Sequence, residues 1–404
     1  SIIQDNYLKL KKGPKIMNQC EKKNLPKDSA TVAINSLAQQ KINAGIKIHN
    51  LSAGEPKLPP HPSIINAVTQ AMEQGHTLYP PIMGIPELRH MGCEWMYRSY
   101  DCSFQNEQCL VVNGGKLGIY LLMQLLLQPN DEVIIPSPYW VSYPAMVSLF
   151  GGTPVPVETT EAEEWKLTPK ALQKACTTKS KILILNNATN PTGALYTQSE
   201  LIHLLQIAKK HNLLVISDEV YSELTYDGHH YVSCGSLPQF RERVIIIQSC
   251  SKNFSMTGWR VGFIFAPEIF IKPLSALVSQ STSGVTTLSQ WAAVAALQEV
   301  NQVNIWVQQN MEKRRNCLLR ALHDYLGLTI TPPVSSLYVF LSLKDIGCKN
   351  QNSEEFCKQA LDKANVAMVP GIAFGKEGYV RLSFGGNEDD LKSGIYALAQ
   401  WLHR

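Results

Sequence analysis

The sequence predicts an α/β fold: a large domain on a doubly wound, mainly parallel sheet, with a smaller α+β domain beside it. Three observations carry that expectation. Helix and strand patterns alternate from about residue 62, several short runs are apolar throughout, and the texture changes after about residue 300. Continuously apolar runs suit strands covered by helices on both faces, and crossover helices between them make such strands parallel.

Taken in chain order, residues 1–26 read as a leader, its basic stretch KLKKGPKIMNQCEKKNLPK being a solvated tail. Met17 lies inside it, so residues 1–16 stand outside the fold argument. Residues 27–61 are expected to complete the small domain, and 62–300 to form the large one. HPSIINAVTQAMEQG and GGKLGIYLLMQLLLQPND read as helices, each followed by Gly, Asn or Asp turn chemistry. EVIIPSP, KILILNN, LLVISDE, RVIIIQS and VGFIFAP read as strands, with SELIHLLQIAKKHN an amphipathic crossover helix between two of them. Residues 301–404 form the rest of the small domain: a long helix NIWVQQNMEKRRNCLLRALHDYLG, the strand SSLYVFLSL, a helix around EEFCKQALDKANV, and the strand YVRLSFG.

Composition narrows the function. The 404 residues are 45% hydrophobic and 17% charged, with a net charge of +4 that is not gathered into a long basic run, which argues against nucleic-acid binding. Ten cysteines without CxxC pairs point to reduced thiols in a cytoplasmic protein, and no zinc-ligand spacing appears. The most apolar helix, IYLLMQLLLQP, is far too short for a membrane span. VNGGKLG is not a phosphate-binding P-loop, since Leu110 stands where that motif needs glycine and Leu117 where it needs a hydroxyl.

Ligands of open parallel sheets bind beyond the carboxyl ends of the strands, so the residues following each strand matter most. Tyr139 and Trp140 follow EVIIP, Asn190 lies in TNPTG after KILILNN, Asp218 ends LLVIS with Tyr221 three positions on, and Lys252 follows RVIIIQ. An aromatic, an amide, a carboxylate with a phenol, and an amine thus meet on one edge. That set matches the needs of pyridoxal phosphate: an amine for its aldehyde, a carboxylate for its pyridine nitrogen, donors for its ring oxygen and an aromatic to stack. Ser249, Arg260 and the Asn113-Gly114-Gly115-Lys116 turn offer a phosphate site. Each residue also has a plainer reading. Asp218 is a possible helix cap, Trp140 core packing, Asn190 turn chemistry, Arg381 a structural ion-pair partner, and Lys116 a solvated helix-start lysine.

Several ordered motifs carry a resemblance from roughly residue 27 to the C-terminus: SATVAIN, LSAGEP, LYPPIMGIPELR, VNGGK, SPYWVSYP, TNPTG, SDEVY, SKNFSMTGWRVG, SQST and YVRLSFG. Together they resemble the fold-type I, class I pyridoxal-phosphate aminotransferases, most of all the bacterial aspartate aminotransferases. The resemblance implies that Lys252 forms the Schiff base and shuttles the proton, and that Asp218 pairs with the pyridine nitrogen. It implies that Tyr221 and Asn190 bond the ring oxygen, that Trp140 stacks, and that Gly115, Lys116, Ser249 and Arg260 hold the phosphate. Arg381 grips the substrate α-carboxylate and Gly54 lines the pocket near it. Tyr79 reaches the phosphate of a neighbouring subunit, which implies a homodimer. Lys116 receives a second carboxylate, making aspartate the preferred donor and 2-oxoglutarate the acceptor, while Lys27 and Thr31 match positions that close over the substrate.

The chain departs from the family pattern in KLPPHP after SAGEP, in Ala188 of NNATNPTG and in the bulkier SCSK. Those departures touch substrate preference. Aromatic, prephenate or neutral substrates, or a β-lyase reaction, stay open as alternatives on the same scaffold. A regulator built on this scaffold needs a DNA-binding domain, and no helix-turn-helix pattern precedes residue 27.

Overall fold

The computed structural model describes residues 30–403, with side chains from residue 33. The expected leader and Lys27 lie outside the described residues, as does the side chain of Thr31. In chain order the strands are β1 (His49–Asn50), β2 (Cys109–Val112), β3 (Glu132–Ser137), β4 (Thr153–Glu158), β5 (Ser180–Asn186) and β6 (Leu214–Asp218). They continue as β7 (Val244–Ser249), β8 (Gly262–Phe265), β9 (Tyr338–Ser342), β10 (Val366–Ala367), β11 (Val369–Pro370) and β12 (Tyr379–Ser383).

Seven strands form one sheet in the order β2-β8-β7-β6-β5-β3-β4. All neighbours from β7 through β4 pair parallel. The sheet is therefore mainly parallel and wound with helices, as the apolar runs predict. One of those runs behaves differently: VGFIFAP holds β8, which is antiparallel to both β7 and β2. A parallel neighbour needs a long crossover, usually a full helix. Between β7 and β8 the chain makes only the four-residue helix Cys250–Asn253 and a short 3₁₀ turn at Thr257–Trp259. An apolar run reports burial on two faces and is silent on direction.

Two strands of this sheet escaped the sequence reading, as did the two-residue strands β1, β10 and β11 outside it. β2 is only four residues long, and β4 carries Pro154 and Pro156 in TPVPVE. Proline is tolerated there because β4 lies at the sheet edge.

Both faces of the sheet are buried, with alternate residues feeding two cores. Leu183, Leu185, Val215 and Ile246 face one way. Ile182, Ile184, Ile216, Ile245 and Ile247 face the other. The crossover helix Gln198–Lys210 starts on a capping box, with Thr197 and Glu200 satisfying each other's backbone N–H groups.

The chain ends meet in a second unit. β1 pairs parallel with β10 at His49↔Val366, and β11-β12-β9 form an antiparallel sheet. The helices Val300–Leu326, Ser353–Lys363 and Glu388–Leu402 accompany them, the first ending at Gly327 in the left-handed region. Among the described residues no helix is long and apolar enough to cross a membrane, and the described cysteines are free.

Candidate active site

The carboxyl ends of β2, β3, β5, β6 and β7 open on one edge of the large sheet. The reversed β8 has its beginning there, since Gly262 pairs with both Ser249 and Val112. That reversal brings Arg260, which precedes a strand, to the same edge as residues that follow strands. A cavity of about 340 Å³ occupies the edge. Its wall includes Gly54, Gly115, Lys116, Trp140, Asn190, Asp218, Tyr221, Ser249, Lys252, Arg260 and Arg381. Among the described residues, Tyr79 is not brought there: it is 92% exposed and lines a separate cavity of about 710 Å³ with Thr77, Asn113 and Thr287.

On the floor, Asp218 is buried at the tip of β6 and takes a 2.5 Å hydrogen bond from Tyr143 Oη on its Oδ2. Its Oδ1 is buried without a partner. Burial pushes the carboxyl up to about 6, against the lowering effect of Tyr143 and the Val220 N–H. Asn186 braces the neighbouring loop, donating to the Asp218 carbonyl at 3.1 Å and accepting from Asn190 N at 2.8 Å. Tyr221 and Tyr338 share a hydrogen bond of 2.8 Å between their hydroxyls.

Lys252 sits on the helix Cys250–Asn253, whose start is capped by Ser249 Oγ accepting from Ser251 N. Its amine donates to the Gly54 carbonyl. Burial lowers the ammonium to about 8; Glu55 opposes the shift, while Arg381, Arg260 and Lys116 add to it. Gly54 needs to be glycine, because a Cβ there stands 2.4 Å from Tyr338 Oη.

The helix Gly115–Leu126 points its free N–H groups at the cavity. Gly114 before it has φ 82°, and a Cβ on it meets Arg260 Nη2 at 2.2 Å. Arg260 donates to Thr257 O at 2.8 Å and to Asn113 O at 3.3 Å, leaving its charge without a carboxylate. Lys116 lies 4.9 Å over the Trp140 ring, and burial followed by Arg260 lowers its pKa.

Arg381 comes from β12 and is 2% exposed. It donates to Asn190 Oδ1 at 3.0 Å and to Ser52 O at 2.9 Å, stands 4.2 Å over the Tyr338 ring, and keeps a buried Nε without a partner. A buried guanidinium bonded only to neutral oxygens suits an anionic ligand. The plainer reading of Arg381 as an ion-pair partner therefore finds no carboxylate among its bonds.

Sequence reasoning missed Tyr143, Asn186 and Tyr338. Tyr143 lies one helical turn beyond Trp140 inside SPYWVSYP, a weak signal, and Asn186 is the last residue of its strand. Tyr338 comes from the distant strand β9 and had none.

The donor set fits pyridoxal phosphate. An unpartnered buried carboxylate oxygen, a primary amine whose burial lowers its pKa to about 8, and a glycine turn at a helix start beside an arginine all face one cavity.

A family model described as aminotransferase class I and II matches residues 46–398. An aspartate aminotransferase of Bacillus subtilis is 37% identical over 379 residues, spanning 93% of this chain and 96% of that protein. An aspartate/prephenate aminotransferase of Thermus thermophilus is also 37% identical, over 94% of this chain and 97% of its own length. The solved structure of the Thermus thermophilus aspartate aminotransferase with maleate superposes with a TM-score of 0.88 at 36% identity, covering 93% of this chain and 97% of that one.

Proposed function

The chain belongs to the class I and II aminotransferases, and from that premise we propose that this transaminase moves the amino group of L-aspartate to 2-oxoglutarate with pyridoxal phosphate. The observation that carries the reading is the pairing, in one cavity, of the Lys252 amine with the free Oδ1 of Asp218. When bound, pyridoxal phosphate supplies an aldehyde that exchanges amines and a ring that accepts electrons.

The protein's own groups do the rest. With its pKa lowered to about 8, Lys252 is in part neutral near physiological pH and takes a proton from the substrate α-carbon. Asp218 Oδ1 accepts from the ring nitrogen, a bond that favours the ionised carboxylate over the protonated one. Tyr143 fixes the other oxygen, so the carboxylate cannot swing. Asn190 and Tyr221 donate to the ring oxygen, and Trp140 covers the ring. Gly115 and Lys116 N–H groups, Ser249 and Arg260 hold the phosphate. Arg381 takes the substrate α-carboxylate in its fork beside Gly54. The preference for aspartate rests on Lys116, a second cation on the same wall.

Residues 27–61 and 301–404 form the domain that carries Arg381, and residues 62–300 the one that carries Lys252. A cytoplasmic homodimer, with Tyr79 reaching the neighbouring site, agrees with the 92% exposure of Tyr79 and the free thiols.

The test is the visible spectrum of the protein loaded with pyridoxal phosphate, before and after aspartate is added without an oxo acid. Conversion of the band with release of oxaloacetate supports the reading. A band that answers only to aromatic or neutral amino acids, or to glutamate with prephenate as acceptor, removes aspartate but keeps the transaminase. No band in a folded protein removes the role of Lys252.

A further inference from the structure

Three hydrogen bonds join the segment Gly54–Pro56 to the loop Lys252–Thr257. Lys252 donates its amine to Gly54 O, Ser255 Oγ donates to Pro56 O at 3.0 Å, and Thr257 Oγ1 donates to Glu55 Oε2 at 2.9 Å. The segment is pinned from behind as well. Lys57 N donates to Gly385 O at 2.9 Å, Arg314 donates to that same carbonyl at 2.5 Å, and a Cβ on Gly385 stands 2.0 Å from Glu55 O.

This arrangement puts one carboxylate beside a cavity crowded with cations. Lys252 shares the wall with Lys116, Arg260 and Arg381. The other ionisable groups there are Asp218, whose Oδ2 is taken by the Tyr143 phenol, and the phenols of Tyr221 and Tyr338, which are bonded to each other. Glu55 is the anion next in sequence to the carbonyl that holds the amine, and Thr257 fixes its direction. We propose that Glu55 is a positioning residue for Lys252: its anchored carboxylate steadies the ammonium form against three neighbouring cations and keeps the amine directed at Gly54 O. The inference rests on the proposed function for its use in turnover, but not for its measurement. Burial and the cations drive the ammonium down to about 8, and Glu55 is the leading opposing charge.

The experiment uses the ligand-free protein. The rate at which acetic anhydride acetylates Lys252 is followed against pH by peptide mass spectrometry, and its midpoint reports the amine. Glu55→Gln keeps an oxygen for Thr257 but removes the charge, so the midpoint should fall by about half a pH unit or more. Glu55→Asp should restore most of it, and Thr257→Val, which frees the carboxylate, should give a smaller fall. An unchanged midpoint in Glu55→Gln overturns the proposal. Should that variant not fold, an unchanged midpoint in Thr257→Val overturns it equally. In the loaded protein, the pH midpoint of the visible band should move in the same direction. Absence of any band would count against the aminotransferase reading alone, because the acetylation measurement needs no cofactor.

Discussion

On the cavity floor, Asp218, Asn190, Tyr221 and Arg381 are buried and tied to one another or to Tyr143, Asn186 and Tyr338. At the rim, Lys116 leans on an aromatic face and Arg260 on backbone carbonyls. Floor groups have their orientation fixed before any ligand arrives, so little ordering remains to be done on binding. Rim groups hold positive charge that no carboxylate neutralises. In the proposed function, the contrast separates the part that fixes the chemistry from the part that selects anions.

Four substitutions test that division, the largest effect first. Lys252→Ala should lower turnover by about a thousandfold or more while circular dichroism stays unchanged, because the proposed proton transfer depends on its amine. Arg381→Lys should lower kcat/KM for aspartate by about a hundredfold, since a point charge replaces a two-pronged, pre-aimed fork. A drop as small as that of a rim residue would break the comparison.

Asp218→Asn probes the floor through stability. The free carboxyl titrates at 3.8 when unfolded and at about 6 when folded. Between those values the folded protein holds more protons, so this group's contribution falls as pH rises through that window and is fully lost above it. The ligand-free Asp218→Asn protein should therefore be more stable by roughly 2–3 kcal/mol at pH 8, with the gain vanishing near pH 4. Thermal melts at both pH values decide it. Lys116→Ala should cost about tenfold in kcat/KM for aspartate and leave a neutral amino acid nearly untouched. Equal losses for both substrates would move Lys116 from selection to general anchoring of the phosphate.

The two regions were not equally legible. Asp218 and Lys252 stand out in sequence because parallel strands deliver whatever follows them to one edge. The supports of the floor do not. Tyr143, Asn186 and Tyr338 work through a neighbour, and Tyr338 arrives from a strand well over a hundred residues after the first loop of the site. Arg260 precedes its strand, and only the reversal of β8 makes that the right side. Direction, unlike burial, leaves no mark in an apolar run, and β4 hid behind prolines that only an edge tolerates. The bipartite architecture was easier, because the change of pattern after residue 300 reflects a real change from a wound parallel sheet to antiparallel strands under long helices.

The pairing of β1 with β10, and the bond from Arg381 to the Ser52 carbonyl, have a consequence for biosynthesis. A growing polypeptide presents Ser52 before Asp218 and Lys252, and Arg381 after all three. The wound sheet has all its strands long before the cavity has its last wall. A chain halted after β8 would thus own the reactive amine without the guanidinium that faces it. Full activity should appear only once the strand Tyr379–Ser383 has been made and has folded against Ser52, however early the cofactor is supplied.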